Sequence, residues 1–431
     1  MRQAFHASIL HCLADPGEAS RPSAYEYFED GLLIIEDGSI REVGHAERLV
    51  PELSDDVLLT EMPGKLIVPG FIDCHVHCPQ LDIIASYGEQ LLDWLHRYAY
   101  PIEARFKDPD YAHEVADVFV DELLNNGTTT ALVFGTVHAH SADAIFEAAL
   151  ARDMRMVVGK VLMDCNCPDE LRDDPISAYD DSKALIERWH GRGRLGYAIT
   201  PRFALTSTEQ QLEAAGELAR EYPDVWIHTH LAENTEEVRQ IARRFPASRS
   251  YLDVYDHFQL LRERSVFAHC LHMDDQDRAL MASKGGAAAF CPTSNLFLGS
   301  GLFDLAAMRD ANIRCGLGTD VGGGTSLSLL KTASEAYKVL HLQDHALPPM
   351  QALYLATLGA AESLYLDDRI GNFLRGKEAD FVVLDPDATG LTARRTASAE
   401  TIEEAFFALL TLADDRHVTA TYVHGKSLKN K

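Results

Sequence analysis

Four short strings of this chain hold residue types that bind a divalent metal and move protons: Asp73-Cys-His75-Val-His77, His230-Leu-Ala-Glu233, His269 and Asp320. A catalytic zinc site needs about three neutral imidazoles, an oxygen ligand and an open position for water. His75, His77, His230, His269 and Asp320 supply that set. One His-x-His pair carries little weight by itself, because the chain has 19 histidines. Three such pairs occur, His75/His77, His138/His140 and His228/His230. In an extended strand, residues i and i+2 project to one side, so any of the three could chelate. The company of further histidines and an aspartate singles out the first. Glu233, three residues past His230, is suited to proton transfer, against a plainer reading as a carboxylate at a helix start. Cys165-Asn-Cys167 has no second pair at zinc-finger spacing and reads as ordinary thiols.

These residues need a scaffold that brings distant strand ends together. Apolar strand-like runs are expected at Leu66–Asp73, Thr129–Gly135, Met156–Asp164, Leu195–Phe203, Val225–Leu231, Ser265–Cys270, Gly286–Cys291 and Arg314–Asp320. Helical segments such as Thr206–Glu221, Glu233–Arg244 and Gln276–Lys284 fall between them. Eight strands alternating with helices argue for an α/β protein of the (β/α)8 TIM-type barrel class. A doubly wound sheet competes, but no Gly-x-Gly-x-x-Gly follows the first strand. In a barrel, functional groups sit at the carboxyl ends of strands, where the first, fifth, sixth and eighth runs place a metal-competent or acid–base residue and the fourth places Arg202-Phe203, which could hold a substrate but not a metal. The chain ends read as β-rich. Gly31 to Gly44 carries an Asp37-Gly38 hairpin turn, and Ala379–Asp385 and Val418–His424 repeat the strand pattern. The expected organisation is a small β-sandwich from 1–66 plus 368–431, with the barrel spanning 67–367.

The ordered set His-x-His, His-x-x-Glu, His, Asp resembles the amidohydrolase superfamily, and Pro69-Gly-Phe-Ile-Asp-Cys-His-Val-His77 resembles its first-strand signature. Longer stretches resemble the guanine deaminase branch. They are His77-Cys-Pro-Gln80, Leu91-Leu-Asp-Trp-Leu95 with Pro101 to Phe106, Pro201-Arg-Phe203, Thr229 to Asn234, Cys291 to Asn295 and Gly316 to Gly324. The resemblance runs from about residue 65 to 370. It implies one zinc ion (Zn2+) per chain held by His75, His77, His230 and Asp320, with His269 beside it. Binuclear relatives carry a carboxylated lysine at the end of strand four, where this chain offers Thr200 and Arg202; Lys160 falls inside strand three. The metal would lower the pKa of its water toward neutrality. Asp320 would take the water's proton, His269 would orient it, and Glu233 would protonate the ring nitrogen and the leaving ammonia of a purine. Gln80, Arg202, Phe203, Trp94 and His230 are the implied substrate contacts.

Composition bounds the partners. A formal charge of −27 over 431 residues repels phosphate backbones and anionic lipid, so a small purine base is the expected partner, with no nucleic acid and no membrane. Eight scattered cysteines in apolar runs imply reduced thiols and a cytoplasmic setting, and a homodimer is the expected assembly. Two alternatives stay open on sequence: a related enzyme acting on an adenosine-type, triazine or pterin ring, and a non-catalytic zinc-binding barrel.

Overall fold

A computed structural model describes residues 2–88 and 90–428. By their contacts they form two compact units, Met1–Ile72 with Asp121–Thr130 and Ser328–Lys431, and Asp73–Val120 with Ala131–Leu327.

The first unit contains a seven-stranded mixed sheet in which both chain ends meet. Leu58–Pro69 lies at its middle, and beside it Arg2–Cys12 pairs parallel with Leu58–Pro69 and antiparallel with Tyr25–Glu36. Phe381–Leu384 runs antiparallel to Leu66–Pro69, and Val418–Val423 pairs beside it. The expected hairpin forms with Glu36 opposite Ser39. Asp37 and Gly38 both take positive φ, 50° and 80°, the requirement of a tight turn that follows the sheet's twist. At its apolar heart Phe381 and Tyr422 stack, and Phe5 meets both rings edge-on.

The barrel strands, in chain order, are Phe71–His77, Thr128–Phe134, Arg155–Gly159, Leu195–Pro201, Trp226–Leu231, Ser265–His269, Ala287–Phe290 and Arg314–Leu317. They hydrogen-bond in that order, with Val161–Leu162 as a short extra strand beside the fourth. Nearly all of their residues are buried, which is why they read as continuous apolar runs rather than alternating ones. Closure comes from the segment after the eighth strand: Asp320 N donates to His75 O at 2.8 Å and His77 N to Val321 O at 2.9 Å.

Three strand expectations are corrected. The run Leu66–Asp73 is two strands, because the chain leaves the mixed sheet at Pro69 and enters the barrel at Phe71. Gly70 makes that change: a Cβ there would collide with Thr129. His75 and His77 therefore lie inside the first barrel strand rather than beyond its end. The run Met156–Asp164 breaks at Lys160, which is buried and ion-paired with Asp173. The eighth strand stops at Leu317, three residues short of Asp320. No helix of the described residues is long and apolar enough to cross a membrane.

Candidate active site

Strand geometry delivers the imidazoles. His75 and His77, two apart on the first strand, turn the same way, as do His228 and His230 on the fifth. Parallel pairing sets Leu231 opposite His269, which brings the ends of strands five and six to one level. Asp320 joins through its backbone bond to His75. The approach of the eighth strand's continuation depends on Gly318, where a Cβ would sit 2.9 Å from Cys291 Sγ and 3.0 Å from His75 Cβ. Asp73 locks the same junction, its carboxylate accepting from Thr319 N at 3.0 Å, from the Thr319 hydroxyl and from His75 N at 3.1 Å.

The side chains converge tightly. His77 Nε2 lies 3.2 Å from both His75 Nε2 and His230 Nε2. Asp320 Oδ1 is 3.1 Å from His75 Nε2 and 3.3 Å from His77 Nε2. His269 belongs to the same cluster: His75, His230, His269 and Asp320 place one ligand atom each within 4.8 Å of one another. The donors of His75, His77, His230 and Asp320 that lie 3.1–3.3 Å apart are close enough to share one metal ion, and His269 Nε2 stands farther off, 3.8 Å from Asp320 Oδ2.

The tautomers point the same way. His230 Nδ1 lies 2.6 Å from Arg202 O, which can only accept, so Nδ1 carries the proton and Nε2 faces the cluster as a lone pair. His269 Nδ1 is held by Asn295 Oδ1 at 2.9 Å, leaving its Nε2 free toward the cluster. His75 Nδ1 contacts His228 Nε2 at 2.7 Å. Burial pushes His77 down to about 3, His230 and His228 well below the usual histidine range, and His75 down as well, which favours the neutral form of these four rings. Desolvation opposes the charge on Asp320, but its contacts with His75 and His77 hold it well below the usual carboxylate range. Ring nitrogens that converge with a carboxylate oxygen in this way form a donor set that fits a cation. Lys160 pairs with Asp173, and strand four ends in Thr200 and Pro201 before Arg202, so neither position brings a lysine to this group. Cys165 and Cys167 stand apart, their thiols turned to backbone carbonyls.

A small cavity opens beside the cluster. His77, Gln80, Trp94, Arg202, Phe203, His230, Glu233, His269 and Asp320 all line it, so every site residue read from sequence except His75 shares one chamber. Phe203 presents its edge to the His230 ring at 6.3 Å. Trp94 is buried on the short helix Leu91–Trp94. Glu233 does not begin a helix. It precedes Asn234, the N-cap of Thr235–Arg244, and its carboxylate turns into the cavity. Oε1 accepts from Ser300 Oγ at 3.0 Å, and Oε2 lies 3.4 Å from His269 Nε2. Burial, reinforced by the charge of Asp320, raises its pKa above the ordinary carboxylate range.

Four contributors were not identified from sequence. Phe134, ending strand two, packs its ring 4.4–5.2 Å from His75, His77, His228 and His230 and is the apolar wall that orients them. Glu237 accepts from the backbone N–H groups of Glu233 and Asn234, fixing the turn that carries Glu233. The spacing Asn234-x-x-Glu237 is a capping-box signature and could have revealed it. Ser300 steadies Glu233, and Glu103 holds Arg202 and Gln80; neither has a local sequence signal. His138 and His140 stack on each other 5.6 Å apart, away from the cluster; His341 is exposed and His345 half-buried.

Residues 66–428 match the model of the amidohydrolase family. The chain is 50% identical over 418 residues to guanine deaminase of Escherichia coli K12, covering 97% of this chain and 95% of that protein. The solved E. coli guanine deaminase superposes with a TM-score of 0.97, covering 99% of each chain at 48% identity. A guanine deaminase from C. acetobutylicum, solved with guanine in its active site, gives 0.90 at 25% identity, covering 99% of this chain and all of that one.

Proposed function

This chain belongs to the amidohydrolase family, whose members are metal-dependent hydrolases, and we propose that it hydrolyses guanine to xanthine and ammonia with one zinc ion per chain. The observation that carries this reading is the chamber itself. It joins a cluster of imidazoles and an aspartate that fits a cation to a carboxyl acid, a guanidinium, an amide and an aromatic face.

His75, His77, His230 and Asp320 hold the metal, with His269 adjoining. When bound, zinc supplies a Lewis-acidic centre that brings water toward ionisation near neutral pH. Arg202 donates to O6 of guanine, Gln80 offers a donor and an acceptor to the ring edge, and Phe203 holds the ring plane. Trp94 closes the chamber on the side of its helix. Water adds at C2, the carbon bearing the exocyclic amine. Asp320 accepts a proton from that water, and His269 Nε2 orients it. Glu233, its pKa raised so that it can carry a proton near neutrality, delivers one to the adjacent ring nitrogen. As C2=O forms, Glu233 takes up the proton of the new C2 hydroxyl and passes it to the amine while the C2–N bond breaks. The proton left on Asp320 returns to Glu233, so guanine and water become xanthine and ammonia with both carboxyl groups restored.

The test is a panel of guanine, adenine, 2-aminopurine, pterin and a triazine assayed for ammonia, with metal measured on the same samples. Guanine is turned over, adenine is not, and zinc approaches one per chain. Preferred turnover of adenine or a triazine, with guanine idle, overturns the substrate. Bound zinc with no ammonia from any ring leaves only the non-catalytic barrel.

A further inference from the structure

Arg202 is fully buried, and a buried guanidinium is costly unless a counter-charge meets it. Its partner is Glu103, on the short helix Tyr100–Ala104 and 1% exposed. Arg202 Nη1 donates to Glu103 Oε1 at 2.9 Å and Oε2 at 2.7 Å. The guanidinium carbon also lies 5.3 Å above the ring of Tyr100, three residues before Glu103. The same carboxylate takes a third donor: Gln80 Nε2 gives a hydrogen bond to Glu103 Oε1 at 2.8 Å. The Gln80 amide is fixed from its other end as well, Oε1 accepting from Gly322 N at 3.1 Å. Arg202 and Gln80 line the cavity; Glu103 is the residue behind both.

We propose that Glu103 is a specificity-determining positioning residue, which sets the donor and acceptor pattern that the chamber shows to the purine ring edge. The inference rests on the reading that Arg202 donates to O6. Because Glu103 accepts at both oxygens, from Arg202 and from Gln80, it turns the Gln80 NH2 toward itself and leaves the Gln80 oxygen to Gly322. It commits Nη1 of Arg202 and leaves Nη2 and Nε as separate donors in a fixed plane. The pair carries no net charge, so the chamber reads a neutral base through oriented N–H groups rather than attracting anions. An amide at position 103 cannot do this: it has one acceptor atom for three donor contacts, so Gln80 must flip or Arg202 must tilt.

The experiment compares kcat/KM for guanine and for 2-aminopurine, which keeps the 2-amine and lacks O6, in wild type, Glu103→Gln, Arg202→Gln and the double variant, each with metal content measured. Glu103→Gln is expected to lose at least ~10-fold of the guanine preference, mainly through KM, with its metal retained. The double variant is expected to match Arg202→Gln within about 3-fold, since Glu103 acts only through groups already disturbed. It carries no unpaired buried cation, so this comparison still decides the matter if Glu103→Gln alone fails to fold. An unchanged preference in a metal-loaded Glu103→Gln, or a further tenfold loss in the double variant, overturns the proposal. If Arg202→Gln itself keeps the wild-type preference, the reading of Arg202 fails first and this proposal falls with it.

Discussion

Replacing Glu233 by glutamine separates the proton-transfer step from everything else the residue does. The backbone of Glu233 is held by Glu237, whose carboxylate accepts from its N–H at 3.0 Å, so the turn does not depend on the Glu233 side chain. The substituted amide keeps an acceptor for Ser300 Oγ in place of Oε1. Its NH2 takes the place of Oε2, 3.4 Å from His269 Nε2, a nitrogen with no hydrogen bond of its own among the described residues. Because burial raises the pKa of Glu233, glutamine copies the neutral, protonated form. Folding stability should therefore change by no more than about 1 kcal/mol, and metal content should stay at the wild-type level. Proton delivery is lost, however, and a positioned general acid contributes roughly 10²–10⁴-fold. At about 1.36 kcal/mol per factor of ten, that is about 2.7–5.4 kcal/mol on the barrier. Ammonia release from guanine under saturation gives kcat, elemental analysis gives the metal, and a thermal melt gives the fold. A metal-loaded, folded Glu233→Gln enzyme with kcat within tenfold of wild type would refute the assignment of Glu233 as the acid.

Three other changes test the rest of the site. His230→Ala removes a ligand whose tautomer is set by Arg202 O, so metal and activity should vanish together; full zinc in an inactive variant would show that His230 is not a ligand. Phe134→Leu takes away the ring behind four imidazoles. Chelator competition should show metal affinity down ~10–100-fold, the usual cost of disturbing groups that orient ligands, whereas unchanged affinity would make Phe134 mere filling. Six of the eight cysteines are buried and only Cys165 and Cys167 are partly accessible, so a thiol reagent should label two sites rapidly in the native protein and the rest only after unfolding.

The sequence by itself determined whatever depends on neighbours along the chain. Two-residue spacing on a buried strand put His75 with His77, and His228 with His230, on common sides before any partner was known. Asp37-Gly38 specified its turn because few residues accept positive φ at two successive positions. The apolar runs fixed the strand number and so the barrel class, and ligand-type residues at successive strand ends marked which face would be functional. The tertiary structure alone decided the pairings across sequence. Glu103 meets Arg202 from 99 residues away, and Asp73 ties the first strand to Thr319 from 246 residues away. Phe134 looks like any core phenylalanine until four histidines surround it. The exit at Gly70 from one sheet into another was invisible because both sheets demand the same apolar residues. These contacts are chosen by barrel closure and strand register, which sum small preferences over the whole chain, and no window of residues contains that sum.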